Sequence, residues 1–200
     1  MFTSLCLIVF NSFRNHTFDT FFFVFNFQAH PSFEDRDNFG RTPCPSVAPD
    51  VLRDQILWQV GALDALCRGY NRRVQYIKPH GALYHAVMEG GAQAHAVYEA
   101  SQILKLPLLL MPRSKFATYG EGFAERRYDG DSLRPRTEEG AVIHDAGEAA
   151  EQSVLLARNH VDLHTICVHG DSPNAVEVAR SVREALTNAG YILGPFVPMV

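Results

Sequence analysis

From Asp50 onward the chain switches repeatedly between a helical and a strand-like hydrophobic period. "DVLRDQILWQVGALDALCRG" puts Leu52, Ile56, Val60, Leu63 and Cys67 on one helical face, and Gly69 stops it. "VQYI" follows as a strand. "QAHAVYEASQILK" returns to the helical period, with Val97, Ala100 and Leu104 inward. "LPLLLMP" is a short unbroken apolar run, the pattern of a strand buried on both faces. A less regular, charged segment runs from Arg113 to Gly140. "AVIH" predicts a brief strand, "AGEAAEQSVLLARNH" a helix and "HTICVHG" a strand. "SPNAVEVARSVREALTNAG" predicts a helix capped by Ser172, with Pro173 in its first turn and Gly190 past its end. "YILGPFVPMV" reads as a terminal strand or tail interrupted by prolines. Strand and helix alternate, which predicts an α/β fold of parallel strands with outer helices, a sheet or a barrel.

In such folds the working residues sit at the carboxyl ends of the strands. The predicted strand ends here read "QAHPS", "KPHGAL", "MPRSK" and "VHGDSP". Three of the four present a histidine at the same topological place: His30, His80 and His169. Lys78 and Arg113 or Lys115 add positive charge, and Asp171 lies two residues beyond His169. In a parallel sheet these side chains converge on one rim. Each corner also has a plainer reading. Proline and glycine punctuate strand ends everywhere, so "PHG" alone is also a tight turn. "HGDSP" is also a helix start, capped by Asp171 or Ser172 or open to an anion.

Composition narrows the function classes. The 200 residues suit one domain or most of a larger α/β domain, and a net charge of −4 with no dense basic block argues against nucleic acid and anionic membrane as partners. Cys6, Cys44, Cys67 and Cys167 follow no CxxC or zinc spacing, so they read as reduced thiols in a cytoplasmic protein. The beginning is atypical: residues 1 to 27 hold nine of the 14 phenylalanines, and up to Phe33 the only charged residues are Arg14 and Asp19. This leader, residues 1–28, lacks the basic start of a signal peptide, and the run Phe21 to Phe27 is too short to span a bilayer as a helix. It reads as a poorly fitting secretory signal, as a hydrophobic strand, or as a segment not native to the domain at 29–200. The segment "EGFAERRYDGDSLRPR" interleaves Phe123 and Tyr128 with Glu125, Arg126, Arg127, Arg134 and Arg136. Its charges are expected to be mostly solvated. It reads as a surface loop, or as a lid over an anionic ligand.

Four of these motifs, taken in order, resemble the family of the 5-oxoprolinase A-subunit, also called LamB/YcsF lactam utilisation proteins. "AHPSFEDRDNFGR" (29–41) is similar to a Gly-Ala-His-Pro segment leading to Phe-Gly-Arg. "IKPHGALYH" (77–85) is similar to a Lys-Pro-His-Gly-Ala-Leu-Tyr signature. "EGFAERRYDGDSLRPR" (121–136) resembles a Glu-x-Phe-Ala-Asp-Arg-x-Tyr loop, and "ICVHGDSPNAV" (166–176) a His-Gly-Asp element. The resemblance implies an α/β barrel of the glycoside hydrolase or deacetylase type, incomplete here. It implies ATP-dependent opening of the lactam 5-oxoproline to L-glutamate, with Mg expected beside ATP and with other 5-oxoprolinase subunits as partners. A lactam is a stable amide, and ATP can phosphorylate its oxygen to make a better electrophile. Lys78 and Arg126 would neutralise developing negative charge, His80 or His169 would move a proton, and Asp171 would orient a histidine or a water. His30, Arg41, Tyr84, Glu125, Arg126 and Arg136 are the expected substrate- or phosphate-binding residues.

The chain departs from that pattern in places. Glu125 stands for the family's aspartate and His85 for an asparagine after "GALY". The family's opening Asp-Leu-Asn-Cys-Asp-Leu-Gly-Glu strand and its Asn-Ile-Ala-Cys-Gly-Phe-His-Ala-Gly-Asp segment are absent. The expectation is a truncated chain or a misassigned first exon, so the barrel would lack early strands. Two other classes of function stay open. One is a metal-dependent amidohydrolase or deacetylase acting alone, in which His30, His80 and His169 are ligands, although no firm metal is expected. The other is a non-catalytic remnant that still binds partners.

Overall fold

The structure, a computed structural model, describes residues 10–11 and 27–197. Except for residues 10–11 and 27–28, the phenylalanine-rich leader lies outside the described residues. In chain order the elements are β1 (Phe10–Asn11), β2 (Phe27–Ala29), α1 (Pro49–Arg68), β3 (Val74–Ile77), α2 (Gly81–Glu89), α3 (Gly91–Leu104), β4 (Leu109–Leu110), β5 (Tyr119–Phe123), β6 (Tyr128–Asp129), β7 (Ser132–Leu133), α4 (Ala146–Asn159), β8 (Leu163–Cys167), α5 (Ala175–Asn188) and β9 (Ile192–Leu193). The fold is mixed α/β with parallel strand pairs, as the alternating periods predict, and among the described residues the short ladders do not close into a barrel. The chain divides into two compact units, residues 25–119 and residues 120–200, the second also taking in β1.

In the unit 25–119, α1 starts with Pro49 in its first turn and Asp50 beside it, both suited to a helix N-terminus. It ends at Arg68, where the Gly69 amide turns back to the carbonyls of Leu66 and Cys67. Leu52, Ile56, Val60 and Cys67 are its buried stripe, which packs with α3, whose inward residues include Ala94, Val97 and Ala100. β2 and β3 are parallel, with Gln28 opposite Tyr76 and Ala29 opposite Ile77. Asp64 ties α1 to the entry of β3: it accepts from the Val74 amide at 3.0 Å and from Arg68 and Arg73 at 2.9 and 3.1 Å. The run at 108–111 is fully buried as expected, although only Leu109–Leu110 form a strand.

In the unit 120–200, β5 and β8 are parallel, with Glu121 opposite Thr165, Gly122 opposite Ile166 and Phe123 opposite Cys167. α4 and α5 pack together over a core that includes Ala124, Ile143, Ala149, Ile166, Val168, Val178, Val182 and Leu186. Asp145 caps α4 through the Glu148 amide at 2.8 Å. Gln152 of α4 reaches back with one amide nitrogen to the carbonyls of Phe123, Ala124 and Arg126, each at 2.9 Å, and so braces the segment leaving β5. β1 pairs antiparallel with β9.

Four local expectations change. "GALYHAVME", read only as the sequel to a turn, is the helix α2, beginning at Gly81 itself. The charged segment contains a five-residue buried strand, β5, whose two glycines and glutamate hide its strand character from composition. "AVIH" contributes one antiparallel bridge, Val142 to Arg126, and no strand. α5 starts at Ala175 with Asn174 at its cap position; Ser172 and Pro173 precede it in a turn closed by the Ala175 amide on the Ser172 carbonyl. Asn174 makes no side-chain cap and instead donates to the His144 carbonyl at 2.6 Å.

Candidate functional site

The unit 25–119 builds one corner from the ends of β2 and β3 and the start of α2. The Lys78 amide donates to the Ala29 carbonyl at 2.9 Å and carries the parallel pairing one residue past the strands. His30 Nδ1 then lies 2.5 Å from the Lys78 carbonyl, His30 Nε2 lies 3.0 Å from His80 Nδ1, and His80 Nε2 lies 2.8 Å from the Phe39 carbonyl. A carbonyl only accepts, so the two outer nitrogens carry protons. The inner contact needs a proton too, because two neutral rings so oriented would face each other with lone pairs. The chain of three hydrogen bonds is complete when the pair holds three protons and one positive charge. The rings meet edge to face, 4.7 Å between centroids.

The loop at 31–41 is sewn onto the same corner. The His80 amide donates to the Pro31 carbonyl at 2.8 Å, and the Ala82 amide, one of the open donors of the first turn of α2, donates to the Gly40 carbonyl at 2.9 Å. Phe39, Gly40 and Gly81 have φ of 58°, 68° and 56°. A Cβ at Gly81 would sit 2.4 Å from the Gly40 carbonyl oxygen. The glycine of "PHG" is therefore required by backbone packing as well as by its left-handed conformation. Lys78 is 4 % exposed, Tyr84 packs on the buried face of α2 at 5 % exposed, and Arg41 lies in the open on the loop.

The unit 120–200 builds a second corner from the ends of the parallel neighbours β5 and β8. The Ala124 amide donates to the Cys167 carbonyl at 3.0 Å. Two residues later the His169 amide donates to Glu125 Oε1 at 2.8 Å, and that oxygen stands 3.6 Å from His169 Nδ1. The Phe123 ring lies nearly parallel to the imidazole, 12° between planes and 5.8 Å between centroids. On the other side, Arg136 donates toward His169 Nε2 at 3.3 Å. Most charges of this segment are exposed or half-buried, as expected, but Glu121, Glu125 and Arg126 are buried, the last two at 4 % and 3 % exposed. Strand pairing and the Gln152 brace draw them in. Glu125 meets His169 through one carboxylate oxygen, Oε1. Arg126 donates to the Arg134 carbonyl at 2.6 Å, while its Nε and Glu125 Oε2 are buried with no hydrogen-bond partner among the described residues. Burial, followed by repulsion from Arg136, lowers the Arg126 pKa to about 10, so the guanidinium stays charged at neutral pH. Burial also pushes the Tyr128 phenol up, and its oxygen accepts from the Phe123 amide at 2.8 Å. Arg136 and Asp171 are exposed.

Each corner thus brings together some of the residues expected from sequence: His30, Lys78 and His80 in one, Glu125, Arg126, Arg136 and His169 in the other. Phe39 was not expected at either site, and it is selected through its backbone carbonyl. Phe123, read from sequence as part of a surface loop or lid, stacks on His169 instead. Among the described residues no group of three or more His, Cys, Asp or Glu side chains is placed to hold a metal ion, and both ring nitrogens of His80 are already engaged. A buried guanidinium with an open N–H suits an anionic group such as a phosphate or a carboxylate. No described helix is long and apolar enough to cross a membrane.

Parallel strands that end in histidines beside buried cations define an α/β protein of the strand-end-site class. Residues 25–199 match the LamB/YcsF family, and the chain belongs to it. It is similar to proteins named as the A-subunit of 5-oxoprolinase: 37% identical to that of Paracidovorax citrulli (strain AAC00-1) over 84% of this chain and 76% of that protein. It is 38% identical to that of Nocardia farcinica (strain IFM 10152), over the same shares. The crystal structure of the lactam utilization protein from Thermus thermophilus superposes with a TM-score of 0.70 at 32% identity, covering 82% of this chain and 74% of that one. The match begins at residue 25 and β2 at Phe27, slightly ahead of the boundary at 29 read from sequence.

Proposed function

We propose that this chain is one component of an ATP-dependent 5-oxoprolinase that opens the lactam ring of 5-oxoproline to L-glutamate together with partner subunits. The observation that carries this reading is the 37–38% identity to 5-oxoprolinase A-subunits over about three quarters of those proteins. The two corners support it chemically. Ring opening develops negative charge on the amide oxygen, and each corner by itself offers a buried cation of the kind that stabilises such charge, Lys78 in one and Arg126 in the other. Opening also needs a proton taken from water and one delivered to nitrogen, work suited to an imidazole, and His169 is the histidine of the second corner with a ring nitrogen facing a donor. Arg126, with its open Nε–H, is the residue of this chain suited to hold a phosphate. ATP, when bound, supplies the driving force for opening a stable amide, with Mg as its counterion. A reducing, cytoplasmic setting accords with the free thiols of Cys44, Cys67 and Cys167.

The test is 5-oxoproline-dependent ATP hydrolysis and glutamate release by the full chain with its partner subunits. Lys78→Met should lower kcat by about 100-fold, and unchanged turnover would remove Lys78 from the mechanism. Hydrolysis of small amides without ATP or partners, lost on chelation, would replace the reading with a metal-dependent amidohydrolase. Partner binding without any turnover would replace it with a non-catalytic role.

A further inference from the structure

The second corner contains an arrangement that the charge-stabilising reading of its residues does not use. Glu125 is a buried carboxylate with one oxygen occupied by the His169 amide and 3.6 Å from its ring Nδ1. The separation is too long for a full hydrogen bond, but it places the carboxylate oxygen beside Nδ1 on the buried side of the ring. Arg136 approaches the opposite ring nitrogen at 3.3 Å. A guanidinium only donates, so Nε2 is the accepting nitrogen and the ring proton of neutral His169 resides on Nδ1, facing the carboxylate. Phe123, stacked on the imidazole, restricts its rotation. Three neighbours thus select one tautomer and one orientation.

We propose that Glu125 is a positioning residue, which holds His169 as the Nδ1–H tautomer so that Nε2 serves as the base of this corner. The proposal rests on the lactam-opening reading. In that reaction Nε2 takes a proton from the attacking water, and the hydroxide formed adds to the activated carbonyl carbon. The imidazolium so produced has its charge offset by Glu125, and its new proton is available to the departing ring nitrogen. Arg136 is exposed and can turn from Nε2 toward the carboxylate of an incoming ligand.

The proposal is tested by two-bond 1H–15N correlation spectra of the 15N-histidine-labelled full chain, with His169→Gln used to assign the ring. At neutral pH the expected spectrum has a protonated Nδ1 and an unprotonated Nε2. In Glu125→Gln the tautomer preference should be lost, and kcat should fall by about 100-fold with KM unchanged. Glu125→Asp should retain both the tautomer and most of the turnover. A wild-type His169 protonated on Nε2 overturns the proposal, as does an unaltered tautomer in Glu125→Gln. If Glu125→Gln does not fold, the wild-type spectrum decides alone. The spectra need no turnover: a wild-type complex inactive on 5-oxoproline refutes the lactam reading and leaves the tautomer result standing.

Discussion

The two corners share a local sequence, a buried strand followed by His-Gly, yet they differ in what holds the histidine. In "KPHGAL" the glycine is wedged against another segment of backbone: φ is 56° at Gly81, and a Cβ there would lie 2.4 Å from the Gly40 oxygen. In "VHGDSP" a Cβ at Gly170 would meet nothing within 4 Å, and its φ lies outside the left-handed range. His80 is held through backbone carbonyls and a second imidazole, whereas His169 is held by a carboxylate, an arginine and an aromatic ring. A histidine tied at both nitrogens inside its own unit is suited to fixing a loop. One with a nitrogen turned to an exposed arginine is suited to exchanging a proton. The same dipeptide at the same topological place is thus tied to backbone and a second imidazole in one unit, and to charged and aromatic side chains in the other.

The sharpest way to break this comparison is to add one methyl group to each glycine. Gly81→Ala should cost more than about 3 kcal/mol, because a left-handed residue and a backbone clash must both be accommodated. Gly170→Ala should stay within about 0.5 kcal/mol. Equal losses in urea denaturation would show that the corners are built alike. A second comparison concerns the cores. Leu52 in one unit and Leu186 in the other are each fully buried. Truncation of either to Ala should cost about 2–5 kcal/mol. Hydrogen exchange should show the loss concentrated in the unit that carries the change, whereas a uniform loss would mean that the two units unfold as one.

A smaller loss than either core truncation is expected at Asp64. Burial pushes its carboxyl up, but the Val74 amide and the Arg68 and Arg73 side chains outweigh burial and hold it below the ordinary 3.8. A pKa lowered on folding contributes stability that is present above the ordinary value and lost as pH falls through the folded one. Asp64→Asn should therefore cost about 1–2 kcal/mol at neutral pH. The gap from the unaltered protein should narrow below about pH 4, as followed by thermal melts across pH. A constant gap would mean that the carboxylate charge is not what holds α1 to β3.

Some of this was legible in the chain and some was not, for reasons that differ by element. α1 is long and strongly periodic and is stopped by Gly69, so its core face could be read directly. β5 could not, because "YGEGF" has poor strand propensity and is held by its pairing with β8 and by the Gln152 brace. The burial of Glu125 and Arg126 was hidden for the same reason: charge type is visible in the sequence and burial is not. The start of α5 lies two residues later than expected because Ser172 and Pro173, good helix starters in isolation, are used in a turn.

By itself the sequence determined that parallel strands would end in histidines and that helices would follow, since hydrophobic period and Pro/Gly punctuation are local properties. Only the tertiary structure decided which groups those histidines meet. His30 meets His80 across 50 residues, and Glu125 meets His169 across 44. Both meetings follow from the register of a parallel strand pair, β2 with β3 and β5 with β8. A register shift of one residue would turn those side chains to the other face, and nothing local in the sequence specifies it.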